Sequence, residues 1–150
     1  MKCKMLGVCN AISGKLEFIK DVPLLFMRLV LAYGFWGPAM MKWNNMHGVI
    51  DWFSGMGIPF PTVNAYLSAS TEVAGSILLL IGLGTRIISI PLMIVMLVAI
   101  FTVHISHGFE AGANGFEIPL YYLIMLSTLL VYGPGRYSVE GLLRKLTSKS

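Results

Sequence analysis

Four long apolar runs constrain the fold of this chain more than any other feature of its sequence. The runs cover residues 23–41, 62–83, 87–105 and 118–133. Together they contain only two formally charged residues, Arg28 and Glu72. A helix needs about 20 mostly apolar residues to cross a bilayer, and the fourth run approaches that length only if Phe116 and Glu117 belong to it. The sequence therefore predicts an all-α protein, a four-helix transmembrane bundle.

The composition argues against a soluble four-helix bundle. Hydrophobic residues make up 56% of the chain and charged residues only 12%, whereas soluble domains have about 25% charged residues. The mean hydropathy is +0.76, and the runs lack the polar face that each helix of a soluble bundle turns to water. The net charge of +4 does not indicate nucleic acid binding, because the basic residues lie at the ends and in loops rather than along one stripe. The predicted partner is the lipid bilayer.

The positions of lysine and arginine predict the orientation in the membrane. Nine of the 11 basic residues fall on one predicted side: Lys2, Lys4, Lys15, Lys20, Arg86, Arg136, Arg144, Lys145 and Lys149. Positive charge marks the cytoplasmic side, so we expect a multi-pass membrane protein with both termini in the cytoplasm. The predicted parts are an N-terminal tail (1–22), the transmembrane domain (23–135) and a basic C-terminal tail (136–150).

The first outer loop, residues 43–61, includes five apolar side chains between residues 49 and 56. They are Val49, Ile50, Trp52, Phe53 and Met56. A short amphipathic helix lying at the membrane interface has such a composition, and the glycines and prolines that follow are typical of a helix end. We therefore expect a short interfacial helix in this loop.

The two charges inside the runs are expected to face protein rather than lipid. A charge near the bilayer centre costs at least ~2.5–3.5 kcal/mol, so it needs a partner. With the first helix running outward and the second inward, a rise of about 1.5 Å per residue places Arg28 roughly 7 Å from Glu72 in depth, within reach of a guanidinium. The sequence thus predicts a buried charge pair, Arg28–Glu72. Two roles stay open for the pair: a purely structural one, and one in proton or quinone chemistry.

A second group of polar residues is expected at the outer ends of the helices. This candidate polar or ligand site comprises Lys42, His104, His107, Glu117 and Tyr121. His104 and His107 are three residues apart and so lie on one helix face, where two imidazoles with carboxylates nearby form a candidate metal site. No motif as specific as HExxH is present, so bonds from the imidazoles to water or loop carbonyls are favoured over a metal. A quinone headgroup fits the same residues about as well as a metal does.

Several short motifs follow one another between residues 23 and 142. They are Arg28-Leu29 with Gly34 and Lys42, WFSGMGIPFP (52–61), EVAG (72–75) with Leu79, Gly82 and Arg86, MLVA (96–99), NGFEIP (114–119) and GPGRYS (133–138). In this order and spacing they resemble the DoxX family of small four-helix bacterial inner-membrane proteins. One departure is Glu140, where the family often has Asp.

The resemblance implies a function as well as a fold. The family is named for a membrane subunit of an archaeal thiosulfate:quinone oxidoreductase, so the expected role is a quinone-linked membrane subunit of a sulfur or thiol redox complex. No flavin, haem or iron–sulfur motif is present, so electrons would come from a protein partner. The alternative is a non-enzymatic membrane transporter or an accessory factor for metal or modified-peptide handling. A structural bundle without chemistry of its own, alone or as a homo-oligomer, is the third interpretation, and no catalytic residue is assigned.

Overall fold

A computed structural model of the chain describes residues 19–147, and this part is helical throughout its regular structure, with no strand. Its six α-helices are α1 (Asp21–Asn44), α2 (Met46–Gly55), α3 (Pro61–Ile81), α4 (Thr85–Ala99), α5 (Glu117–Tyr132) and α6 (Val139–Thr147). Most of the predicted N-terminal tail, with Lys2, Lys4 and Lys15, lies outside the described residues, as does Lys149.

Three helical segments are long and apolar enough to cross a membrane. They are Asp21–Asn44, Pro61–Ile81 and Thr85–His107. The third segment is α4 continued by a π-helical turn, Ile100–His104, and a 3-10 turn, Ile105–His107. Helix α5 is apolar but has only 16 residues, fewer than the ~20 that usually cross a bilayer. The fourth crossing therefore stays a prediction.

One hydrophobic core joins α1, α3, α4 and α5. Its buried members are Leu31, Ala32, Phe35, Leu79, Leu92, Met96, Leu126 and Leu129. Glycine allows the helices to approach closely, because a Cβ on Gly75 would lie only 2.7 Å from a methyl of Leu92. The opposite surfaces of these helices expose large apolar side chains, which suits contact with lipid rather than water.

A smaller core holds α2 against α3. Met46 and Phe53 of α2 are buried together with Ala65 and Ala69 of α3. The Asn45 side chain caps α2 by accepting a hydrogen bond from Gly48 N at 3.3 Å. A short helix therefore exists in the predicted loop, while its position at the membrane interface stays a prediction.

The segment predicted as a basic tail contains a helix. After α5, the chain turns through residues 133–138 and then forms α6, Val139–Thr147. Gly133 and Gly135 have φ values of 80° and 77°, in the left-handed region that glycine adopts without strain. This turn returns the chain to the ends of α1 and α3, as described below.

Candidate functional site

Glu72 lies near the middle of α3 and is only 2% exposed. Its cationic partner is Lys42 of α1, whose Nζ donates a hydrogen bond to Glu72 Oε1. Lys42 Nζ also donates to Ser68 Oγ at 3.1 Å, and the Ser68 hydroxyl donates to Glu72 Oε1 at 3.3 Å. These three residues form a partly buried polar group between two membrane-spanning helices, which we name the Lys42–Glu72 cluster.

Arg28 does not pair with Glu72, so the predicted Arg28–Glu72 pair is wrong. Arg28 is 1% exposed and donates to four backbone carbonyls instead. Its Nε bonds to the oxygen of Leu79 at 2.9 Å and its Nη2 to that of Leu80 at 3.0 Å. Its Nη1 bonds to Pro134 O at 3.0 Å and to Tyr137 O at 2.8 Å.

The end of α3 explains why Arg28 prefers carbonyls. The last turn of a helix has carbonyl oxygens without intrahelical partners, and the helix dipole makes that end negative. A planar guanidinium with five N–H donors satisfies several such oxygens at once. Glu72 and Leu79 are separated by seven residues of helix, which is about 10 Å. Arg28, held at Leu79, is therefore too far along the helix to bond to Glu72.

Two buried oxygens, one in the Lys42–Glu72 cluster and one beside it, have no hydrogen-bond partner among the described residues. They are Glu72 Oε2 and Ser76 Oγ, and the spacing of four residues places them on neighbouring turns of the same face. A buried polar atom without a partner costs about 1–3 kcal/mol. A proton on the carboxyl, or a polar group of a ligand, would offset this cost.

The remaining predicted site residues lie elsewhere, around the loop that precedes α5. Glu117 Oε2 accepts from Ala111 N and its Oε1 from the Tyr121 hydroxyl, both at 3.0 Å. His104 Nδ1 donates to Asn114 O at 2.7 Å. The predicted polar site is thus divided: Lys42 belongs to the Lys42–Glu72 cluster, while Glu117 and Tyr121 bond to each other.

The two histidines each bond to the backbone through Nδ1. For His107 the acceptor is Val103 O, at 2.9 Å, in the preceding turn. Within residues 19–147, no group of three or more His, Cys, Asp or Glu side chains is placed to hold a metal ion. A metal at His104 and His107 would thus lack a third ligand of these types from the described chain, and the metal hypothesis gains no geometric support.

The sequence model of the DoxX family matches residues 23–105. The chain belongs to the DoxX family. The matched residues include Arg28, Lys42, Glu72 and His104 but not the Glu117–Tyr121 pair, so the Lys42–Glu72 cluster lies inside the family domain.

Three relatives of this DoxX-family protein have similar sequences. An uncharacterized protein of Haemophilus influenzae is 29% identical over 152 residues, which cover 96% of this chain and 91% of that protein. The Bacillus subtilis protein named "Putative oxidoreductase CatD" is 28% identical, covering 73% and 76%. The uncharacterized membrane protein Rv3486 of Mycobacterium tuberculosis is 34% identical, covering 62% and 63%. No solved structure gives a significant match.

The sequence analysis did not assign Ser68 or Ser76 to the candidate site. Both are four residues from Glu72, so their side chains flank the carboxylate on the same helix face. That spacing was the available signal, because a serine one turn from a buried acid can bond to it.

An open apolar groove of about 520 Å³ also lies along α1 and α3, lined by Met40, Trp43, Ser70, Val73, Ala74 and Ile77. Neither Lys42 nor Glu72 lines this groove, although each is the chain neighbour of a residue that does.

Proposed function

We propose that this DoxX-family protein is a quinone-linked membrane subunit of a redox complex, and that the Lys42–Glu72 cluster supplies and accepts protons there. The observation that carries the proposal is Glu72 Oε2, a buried oxygen that has no hydrogen-bond partner within residues 19–147 and belongs to an ion pair inside a membrane span. Ionisable groups inside membrane helices usually mark proton or substrate pathways. A quinone takes up two protons together with two electrons when it becomes a quinol, so a buried carboxyl beside an ammonium suits that chemistry.

A structural role alone explains the Lys42–Glu72 cluster less well. Burying an ion pair costs desolvation energy, and apolar residues of similar size often stabilise a protein equally or more. Ser68 satisfies one oxygen of Glu72, yet the second oxygen and Ser76 Oγ have no partner in the described chain. A purely structural pair would be expected to have all of its polar atoms satisfied.

The proposed arrangement is a four-helix transmembrane bundle of the bacterial inner membrane, with α5 as the fourth crossing and α2 at the outer interface. Arg28, Arg86 and Arg136 support this orientation, because all three contact the end where α3 and α5 finish. Arg86 Nη2 donates to Val131 O near the end of α5 at 3.1 Å. The Arg136 guanidinium lies at the same end of the bundle, with its Nε 3.6 Å from Oδ2 of Asp21 at the start of α1. A basic end is typically the cytoplasmic one, which supports the proposal that both chain termini lie in the cytoplasm.

The redox part of the proposal draws on one relative and on the apolar groove. The name of the Bacillus subtilis relative, "Putative oxidoreductase CatD", indicates redox chemistry. The groove beside Trp43 and Val73 is open and apolar, and it offers space for an isoprenoid tail next to the helices that hold the cluster. Electrons would come from a partner subunit.

Quinone binding and quinone reduction test this function directly. Purified protein in lipid nanodiscs is titrated with a short-chain ubiquinone or menaquinone analogue, and quenching of tryptophan fluorescence reports binding. The same nanodiscs are added to a membrane extract whose quinone reduction is followed by absorbance. We expect saturable binding and faster reduction with the wild type, and at least a tenfold smaller effect with Glu72→Gln. Glu110→Gln, an exposed acid in the loop before α5, is the matched control and should behave as wild type.

The outcome that rejects this function is equally specific. If the wild type neither binds either analogue nor changes quinone reduction, the quinone-linked role is wrong. If it binds quinone and Glu72→Gln is fully active, the quinone role stands and the proposed proton role of Glu72 fails.

The second candidate is a non-enzymatic, proton-coupled transporter or accessory factor. The same observation favours it, because buried acid–base pairs also carry protons in membrane transporters. Proteoliposomes containing a pH-sensitive dye separate the two functions: proton uptake that depends on Glu72 but not on added quinone favours transport. Metal binding to the wild type that is lost in the His104→Ala/His107→Ala double variant would favour metal handling.

A further inference from the structure

Helix α6, Val139–Thr147, has a strongly amphipathic sequence, and none of its residues is buried. The apolar side chains Val139, Leu142, Leu143 and Leu146 are 42%, 58%, 49% and 60% exposed. At about 100° per residue, these four positions fall within an arc of roughly 100° on the helix surface. The opposite side carries Glu140, Gly141, Arg144 and Lys145. The helix therefore has an apolar face that the described part of the chain does not cover.

The start of α6 is attached to the ends of the membrane-spanning helices. Glu140 N donates to Gly82 O, the residue that ends α3, at 3.2 Å. The Tyr137 carbonyl accepts from Arg28 Nη1 at 2.8 Å. Because these bonds join α6 to the end of a spanning helix, α6 begins at the depth where that helix leaves the membrane.

The surroundings of α6 favour lipid as the occupant of its apolar face. Val131 and Tyr132 at the end of α5 and Tyr137 in the preceding turn are exposed, so apolar and aromatic surface continues from the spanning helix towards α6. Tyrosines are common where a membrane helix meets the headgroups. A nine-residue helix is too small to provide the roughly 800 Å² per partner that a stable protein interface needs. A second copy of the chain is therefore a poorer fit.

The charges on α6 specify the kind of lipid. Arg144 bonds to Glu140 within the helix, with Nη2 to Oε1 at 2.6 Å, and Lys145 lies on the other side of the polar face. Arg136, just before the helix, has its Nε 3.6 Å from Asp21 Oδ2, yet its side chain is 75% exposed and so accessible to a headgroup. Basic side chains beside a membrane-embedded apolar face attract anionic headgroups.

We propose that α6 lies flat in the headgroup region, with its four leucine and valine side chains among acyl chains and its basic residues at the phosphates of anionic phospholipids. This inference rests on the membrane topology proposed above and is independent of the quinone role. It makes the C-terminal segment a lipid-binding element rather than a soluble tail.

Site-specific quenching in the full-length protein tests the position of α6. Cys3 and Cys9 are replaced by serine, and one cysteine is introduced as Leu143→Cys, Leu146→Cys or Lys145→Cys and labelled with bimane. In nanodiscs with brominated phosphatidylglycerol, we expect the probes at 143 and 146 to be quenched at least threefold more than the probe at 145. Aqueous iodide should give the opposite order. Equal access of iodide to all three positions, or protection of 143 and 146 from both quenchers, would overturn the proposal, since the latter indicates a protein partner.

A second measurement tests the lipid class. Native mass spectrometry of protein released from nanodiscs with equal phosphatidylglycerol and phosphatidylcholine reports the ratio of retained lipids. We expect enrichment of phosphatidylglycerol in the wild type, a drop of at least threefold in Arg144→Gln/Lys145→Gln, and retention in the charge-preserving Arg144→Lys/Lys145→Arg. Equal ratios in all three proteins would reject anionic lipid binding at α6 while leaving the quinone proposal untouched.

Discussion

Arg28 Nε lies 2.9 Å from the carbonyl oxygen of Leu79, and this hydrogen bond ties the first membrane-spanning helix to the end of the second. The other bonds of the same guanidinium extend to Leu80, Pro134 and Tyr137. A single buried cation therefore joins α1, the last turn of α3 and the loop before α6. This role differs from that of Glu72, which lies about two turns earlier in α3 and bonds to Lys42.

Replacing Arg28 should strongly destabilise the protein. Arg28→Met leaves four carbonyls without their donor, and breaking a buried charged contact typically costs about 3–5 kcal/mol. Arg28→Lys should recover only part of this, because an ammonium lacks the planar set of five donors. Thermal unfolding in detergent, followed by circular dichroism, measures the change. Arg86→Met is the control, since Arg86 is exposed and its Val131 bond should contribute about 1 kcal/mol. Equal melting of the two variants would contradict the capping role of Arg28.

Gly82 should resist substitution for two separable reasons. It has a φ of 71°, and a Cβ there would lie 2.5 Å from both Arg28 Nη2 and Ser138 Cβ. Gly84 has a φ of 58°, but a Cβ added there would have no neighbouring atom within 4 Å. Gly84→Ala thus measures the backbone cost, about 1 kcal/mol, and Gly82→Ala should cost at least about 1 kcal/mol more. Equal thermal stability of the two alanine variants would show that the Arg28 side chain can move away from a methyl group at position 82 without a loss of stability.

Gly34 allows Tyr122 of α5 to pack against α1. A methyl group at position 34 would overlap the Tyr122 hydroxyl, whereas one at Gly37 meets nothing within 4 Å. We expect Gly34→Ala to lower the stability by about 1–3 kcal/mol, the usual cost of overpacking, and Gly37→Ala to be neutral or stabilising. Adding Tyr122→Phe to Gly34→Ala removes the overlapping oxygen and should restore part of the loss. If the double variant unfolds at the same temperature as Gly34→Ala, the overlap is not the cause.

The sequence predicted the helical class, the membrane character and the DoxX family correctly, because long apolar runs and ordered motifs are local signals. The partner of Glu72 was predicted wrongly because it depends on the relative depth of two helices. In the structure the Arg28 guanidinium bonds to Leu79 at the end of α3, and it is the Lys42 ammonium that reaches Glu72. No local pattern specifies this offset, which tertiary packing determines.

Helix α6 was not predicted from the sequence, for a different reason. Its apolar residues Val139, Leu142, Leu143 and Leu146 already have the 3-to-4 residue spacing of an amphipathic helix in the sequence. The basic residues between them favoured the interpretation as a tail. By contrast, the π-helical turn at Ile100–His104 has no comparable signal, since single π turns depend on side-chain packing more than on composition.

A double-mutant cycle on Lys42 and Glu72 separates stability from function in the Lys42–Glu72 cluster. Lys42→Met leaves the buried Glu72 carboxylate unpaired and should cost about 3–5 kcal/mol, whereas Glu72→Met leaves a partly exposed ammonium and should cost less. The double variant removes both charges and should lose less than the sum, with a coupling of about 1–3 kcal/mol. Thermal unfolding in detergent supplies the stabilities. Because the double variant retains the fold without the ionisable groups, it should still fail to stimulate quinone reduction. Full activity in that stable double variant would leave Lys42 and Glu72 with only a structural role, and additive stability losses would show that the two side chains do not interact.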